Sequence, residues 1–332
     1  MTAADFAAFS NNAVAFASVV YVLAFVSHLV EWVLGRSVRT QASAMAVVGT
    51  PPASGASDHA GAAHEGAESV EKFGRIGVAL TVAAALLHLA GLVTRGLGAD
   101  PVRVPWGNMY EFTVAGAFGV TAFYLALLRR HHLRWLGPVV TGFNVVVLML
   151  AVLILYVEAG PLVPALDSYW LVIHVIAAIT ATGAFTVGGM ASLLFLVKQR
   201  AEVRGETGRA GYVARLPASP VLDRVAYRMH AFGFPIWTFA ALIAGPIWAE
   251  YAWGRYWGWD PKEVWAFITW VVYAAYLHAR ATAGWKGRAA AIIALVGLAT
   301  LLFNFVGINY FFGDTSQHSY ALGVASAHSG LG

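Results

Sequence analysis

Eight stretches of this chain contain no Asp, Glu, Lys or Arg over a length that crosses, or nearly crosses, a lipid bilayer. They are residues 6–30, 76–94, 112–128, 135–157, 168–197, 229–249, 264–279 and 289–313. A spanning helix needs about 20 mostly apolar residues. The third and seventh stretches are short and must borrow flanking residues. Period-2 alternation is absent, and isolated strands cannot satisfy their backbone in lipid. The expected fold is therefore all-α: a polytopic integral membrane protein with eight transmembrane helices. Composition agrees. Only 11% of residues are charged and the mean hydropathy is +0.67, where a soluble domain carries about 25% charged residues.

The net charge of +4 raises the possibility of a nucleic-acid partner, but the distribution argues against one. Seventeen of the 21 basic residues fall in the odd-numbered loops, and only Arg95, Arg103, Arg255 and Lys262 fall elsewhere. Basic loops stay on the cytoplasmic side. Both termini and the even-numbered loops are thus expected outside, with lipid as the solvent partner and no nucleic acid. The chain has no cysteine, which excludes disulfides, thiol catalysis and zinc–thiolate sites of its own. The first apolar run lacks a basic n-region, so it reads as a membrane helix rather than a cleaved signal.

Four regions are expected: a first helix with its flank (1–39), a flexible cytoplasmic loop (40–72), a membrane domain (73–320) and an outer C-terminal tail (321–332). Residues 40–71 are rich in Ala, Gly, Ser and Pro, and their His59 and His64 read as incidental. Residues 199–228 read as a second cytoplasmic loop with a short interfacial helix.

The most unusual segment is 248–265, in the sixth loop. Seven of its 18 residues are Trp or Tyr. An aromatic belt explains two or three such residues near each helix end, but not seven between two spans. Gly254 and Gly258 allow a flat ligand to approach the backbone, and a planar macrocycle would be held there by stacking and apolar burial. Trp253, Trp257 and Trp259 are the candidate ring-binding residues. Asp260, Pro261 and Glu263 fit a capping box at a helix start. Arg255 and Lys262 are positioned either for carboxylates of the ligand or for snorkelling to the interface.

Histidines near that loop are candidate metal ligands. His174 lies near the outer end of the fifth span and His318 just beyond the eighth. Both are expected on the side of the aromatic loop, where two imidazoles can ligate one heme iron. His278 lies 15 residues after Glu263, about 22 Å along a helix. Ligation at an inner site and snorkelling beside Arg280 are equally open for it. His28 and His88 read as packed or hydrogen-bonded, and His230, His131 and His132 as residues of the cytoplasmic interface. In residues 104–112, Asn108 and Glu111 read as a helix cap with its N3 partner.

Residues 253–270, with 273–278, 105–111 and 168–174, resemble the CcsA/ResC family of cytochrome c assembly proteins. That family belongs to the heme-handling group named for its tryptophan-rich WWD segment. The resemblance covers roughly residues 75–320. It implies a bacterial plasma-membrane protein that works with a ResB/CcsB-type partner. Together they transport heme b as substrate and join it to apocytochromes bearing C-x-x-C-H. Thiol-reducing proteins are candidate further partners. By the same resemblance, His174 and His318 are the outer axial ligands and His278 is the membrane histidine of an inner heme site. The chain would then be a subunit of a holocytochrome c synthetase, with no catalytic residue assigned. The alternatives are a b-type cytochrome for electron transfer and a solute transporter. Gly188, Gly189 and Pro235 are possible helix breaks for the transporter.

Overall fold

The computed structural model describes residues 1–48, 56–160, 166–206, 211–282, 284–313 and 315–318, with side chains of 36–64 left aside. The expectations for His59, His64 and the 321–332 tail lie outside these residues.

Eleven helices are present among the described residues. They are α1 (Ala3–Val48), α2 (Ala56–Leu97), α3 (Met109–Leu128), α4 (Gly137–Leu150), α5 (Tyr169–Val203), α6 (Tyr212–Arg215), α7 (Ser219–Phe239), α8 (Gly245–Trp253), α9 (Pro261–Thr282), α10 (Arg288–Leu302) and α11 (Ile308–Phe311). No strand occurs among them. Among the described residues, seven helical stretches are long and apolar enough to cross a membrane; residues 261–282 are not among the seven. The expected seventh span at 264–279 is thus a helix, but one with Lys262 and Glu263 in its first turn and Arg280 in its last. Those charges, with its Trp and Tyr content, lower its apolarity below that of its neighbours.

Boundaries also differ from the sequence reading. Helices α1 and α2 extend into the 40–72 segment, because Ala-rich sequence has high helix propensity even where it is polar overall. Helix α7 begins at Ser219 rather than after Arg228. Pro220 sits in its first turn, where its missing N–H costs nothing. The short α6 lies within the 199–228 segment, where a short helix is expected.

Glycines set how closely the helices pack. Helix α5 runs unbroken through Gly188 and Gly189. A Cβ at Gly188 would lie 2.7 Å from the His230 ring, and one at Gly189 would lie 2.5 Å from Leu298. These glycines admit neighbouring helices rather than breaking their own. Through the Gly188 gap, His230 is fully buried rather than interfacial. Its ring centroid is 5.3 Å from Tyr273 and 5.1 Å from Tyr276. Pro235 likewise leaves α7 continuous to Phe239. His28 and His88 are buried and hydrogen-bonded as expected, His28 near Glu31 and His88 to the Val114 carbonyl. Lipid-facing Val146, Met149, Leu153 and Ile154 are exposed, which a bilayer tolerates and water does not.

The helix ends near the Trp-rich segment are fixed by ionic contacts. Asn108 caps α3 by accepting from the Glu111 N–H at 2.9 Å. The Glu111 side chain does not close a capping box onto Asn108. It is 1% exposed and accepts from Arg95 Nε at 3.0 Å, Arg103 at 2.7 and 3.1 Å, and the Gly107 N–H at 2.7 Å. Arg95 also donates to the Val157 carbonyl and Arg103 to the Gly160 carbonyl. The end of α2, the start of α3 and the segment after α4 are therefore tied through one carboxylate.

Candidate functional site

The chain α7–α8 does not follow a regular helix. Pro246 has no N–H to give to the Leu242 carbonyl, so the helix opens into a wider π-turn over Ala240–Ala244. There the Ala240 carbonyl accepts from the Gly245 N–H and also from the imidazole Nδ1 of His174, at 2.9 Å. A carbonyl can only accept, so His174 Nδ1 carries the proton and Nε2 carries the lone pair. Gly245 makes room for that ring. A Cβ there would sit 3.2 Å from His174 Nδ1 and Cε1, and 3.1 Å from the Ala240 oxygen.

His318 arrives from the other end of the chain. Asp260 caps α9 by accepting from the Lys262 N–H at 3.0 Å, and Glu263 accepts in turn from the N–H groups of Asp260 and Gly258. This is the capping box expected from sequence. The same Asp260 carboxylate also gathers the segment after α11. It accepts from Ser316 Oγ at 2.8 Å, Gln317 N–H at 2.7 Å and His318 Nδ1 at 3.0 Å. Burial opposes ionisation of Asp260, but the hydrogen bonds from His318, Ser316 and the Lys262 amide outweigh it and hold the carboxyl well below the usual carboxylate range. Burial lowers the His318 pKa, against the opposing pull of its hydrogen bond to Asp260.

His174 and His318 line a single cavity, with about 1310 Å³ of atom-free space when its open mouth is included. Its walls are largely apolar. Trp248 neighbours both histidines, stacked on His174 at 6.0 Å and edge-on to His318 at 5.4 Å. Trp257, Trp237 and Phe305 add aromatic surface, and Lys262, Glu263 and Asn304 supply polar groups. The Asn304 oxygen is buried without a hydrogen-bond partner.

The other expected residues divide. Trp257 and Lys262 line the cavity. Trp253 packs behind His318, with centroids 4.5 Å apart. Trp259 is 71% exposed, edge-on to Trp257 and outside the lining. Arg255 lies over Gly258 and donates to Gln317. His278 is well apart on the exposed face of α9, beyond Tyr276. Trp248, Gly245 and Asn304 were not singled out by sequence as site residues. Trp248 belongs to the aromatic segment and was legible there; the other two depend on the π-turns at Ala240–Ala244 and Phe303–Gly307.

A substitution follows from the tight fit at Gly245. Gly245→Ala adds helix propensity, about 1 kcal/mol in isolation, but must displace His174 from the Ala240 carbonyl. Loss of such orienting contacts typically lowers metal-centre affinity roughly 10–100-fold. The expected outcome is unchanged thermal stability with weakened retention of any metal centre that His174 ligates, toward the low end of that range, read by dilution and absorption. Retention equal to the parent chain would show that His174 needs no such clearance.

Comparisons with known proteins bear on the family of the chain. A family model described as cytochrome C assembly protein matches residues 106–313. The chain is 35% identical over 305 residues to the cytochrome c biogenesis protein CcsA of a Synechococcus strain, covering 74% of this chain and 85% of that protein. It is 35% identical over 306 residues to CcsA of Microcystis aeruginosa (79% and 91% covered) and 33% identical over 261 residues to CcsA of Guillardia theta (74% and 85%). Among solved structures, the cytochrome c heme lyase CcmF superposes with a TM-score of 0.58 at 16% identity, over 92% of this chain and 47% of that one, a likeness of fold. A family match spanning most of the helical bundle, joined to CcsA relatives aligned along most of both chains, places this multi-pass membrane protein in the CcsA family of cytochrome c biogenesis proteins.

Proposed function

We propose that the chain binds heme in the cavity beside the Trp-rich segment, with His174 and His318 as the two axial ligands, and presents it there to apocytochrome c. The observation that carries this reading is the pairing of the two imidazoles. They come from distant parts of the chain, border one aromatic-walled cavity, and each has Nδ1 engaged by a protein acceptor. Nε2 is left as the ring nitrogen with a lone pair in both, the form a metal requires. Trp248 and Trp257 would pack against the macrocycle, and Lys262 would meet a propionate. The thiols that add to the vinyl groups belong to the C-x-x-C-H segment of the substrate, since this chain has no cysteine.

The topology that fits is eight crossings with both termini and the cavity on the extracytoplasmic side. Its 22 residues make α9 about 33 Å long, enough for a hydrocarbon core of about 30 Å. As the seventh crossing, α9 would place His278 toward the cytoplasmic half of the membrane. Exposed on α9, it is open to a ResB/CcsB-type partner that completes an inner heme site, from which heme b would move outward as substrate.

The deciding experiment is purification of the chain with that partner from cells making heme, followed by heme assay and absorption spectroscopy. The expected result is bound heme with a bis-histidine spectrum that is released on covalent attachment to an added apocytochrome. Heme that stays through attachment would favour a resident b-type cytochrome, and a heme-free complex would end the proposal.

A further inference from the structure

The two histidines differ in what stands behind them. His174 donates to a neutral backbone carbonyl, whereas His318 faces a buried carboxylate. That carboxylate does far more than a cap requires. Capping α9 needs one acceptor, and Asn or Ser would supply it. Asp260 takes four donors: the Lys262 amide, Ser316 Oγ, the Gln317 amide and His318 Nδ1. Three of these come from residues 316–318, and Ser316 Oγ also accepts from the His318 N–H at 3.2 Å. Only a carboxylate has acceptor capacity for all four. Asp260 is 6% exposed, so its charge acts in a low-dielectric setting.

We infer that Asp260 is a positioning residue that makes the two axial ligands unequal: it fixes His318 and strengthens it as a donor, so that this side of the iron favours the ferric state. This rests on the heme reading above. An imidazole whose N–H is held by a carboxylate donates more electron density to its metal than one held by a carbonyl. The nearby negative charge adds to the same preference. Ser316 moderates the effect, because it occupies the same Oδ1 that receives His318.

The test is the midpoint potential of heme in the purified complex with its partner, compared across two variants. Asp260→Asn keeps a capping side chain and an acceptor but removes the charge. It should raise the midpoint by about 59 mV, a tenfold change in the ferric-to-ferrous ratio for one electron. Ser316→Ala removes a competing donor from Asp260 Oδ1, together with the weaker Ser316 contact to the His318 N–H, and should move the midpoint the other way. A residue that merely braced the fold would, when changed, loosen the site and shift both variants in one direction, which would overturn the inference. An unmoved midpoint in Asp260→Asn would also overturn it. If that variant retains no heme, Ser316→Ala decides alone: a fall supports the inference, and a rise or no change refutes it. Parent complex without bis-histidine heme would instead refute the functional reading itself.

Discussion

Chain carrying His174→Gly together with His318→Gly is expected to lose the outer bis-histidine heme and, with it, covalent heme on the cell's c-type cytochromes. Glycine removes both imidazoles and leaves no donor in their place, while the helix starts that frame the cavity keep their own contacts. Changes to groups that only orient a ligand lower metal affinity roughly 10–100-fold; removing both ligands should exceed that range. Two measurements check this: heme per purified complex, and heme staining of membrane proteins from the expressing cells. Each single variant should retain an altered, one-histidine spectrum, since the other imidazole is anchored independently, by Ala240 or by Asp260. Unchanged absorption in the double variant would remove both residues from the heme site.

Glu111→Gln is expected to be the most destabilising single change considered. The carboxylate lies between Arg95 and Arg103, whose side chains are 3% and 6% exposed. Removing one partner of a buried ion pair typically costs about 3–5 kcal/mol, because the remaining charge is left without compensation. Here two guanidinium groups would lose their shared partner. The glutamine still fits the space and can accept from one donor, so the loss is electrostatic rather than a cavity. Thermal unfolding in detergent should show a clear fall in melting temperature. Heme binding should weaken in parallel, because Met109 and Phe112 beside Glu111 line the cavity. A melting temperature equal to the parent's would mean that the arginines reach solvent or other acceptors.

The sequence reading of Glu111 shows where local reasoning stops. Asn108 three residues before Glu111 is a complete N-terminal cap signal, and that cap exists. The Glu111 side chain turns instead to Arg95 and Arg103, which its spacing within the cap could not reveal. The matching box at Asp260 and Glu263 is local and was read correctly. His318, however, binds the same Asp260 across 58 positions. His230 was read from its place along a span as interfacial, and the absent Cβ of Gly188 draws it into the core.

What the sequence alone determined was the class of the molecule and the chemistry it carries. Charge-free apolar runs dictate membrane helices because lipid cannot hydrate a backbone, and the Trp-rich segment with two flanking histidines marks the candidate site. Tertiary structure alone decided which groups meet: that His174 and His318 border one cavity, that Trp248 rather than Trp259 walls it, and that a π-turn before Pro246 supplies the carbonyl holding His174. Helix identity follows from forces between near neighbours along the chain. A cavity is the space left between helices distant in sequence, and its shape is fixed only when they pack.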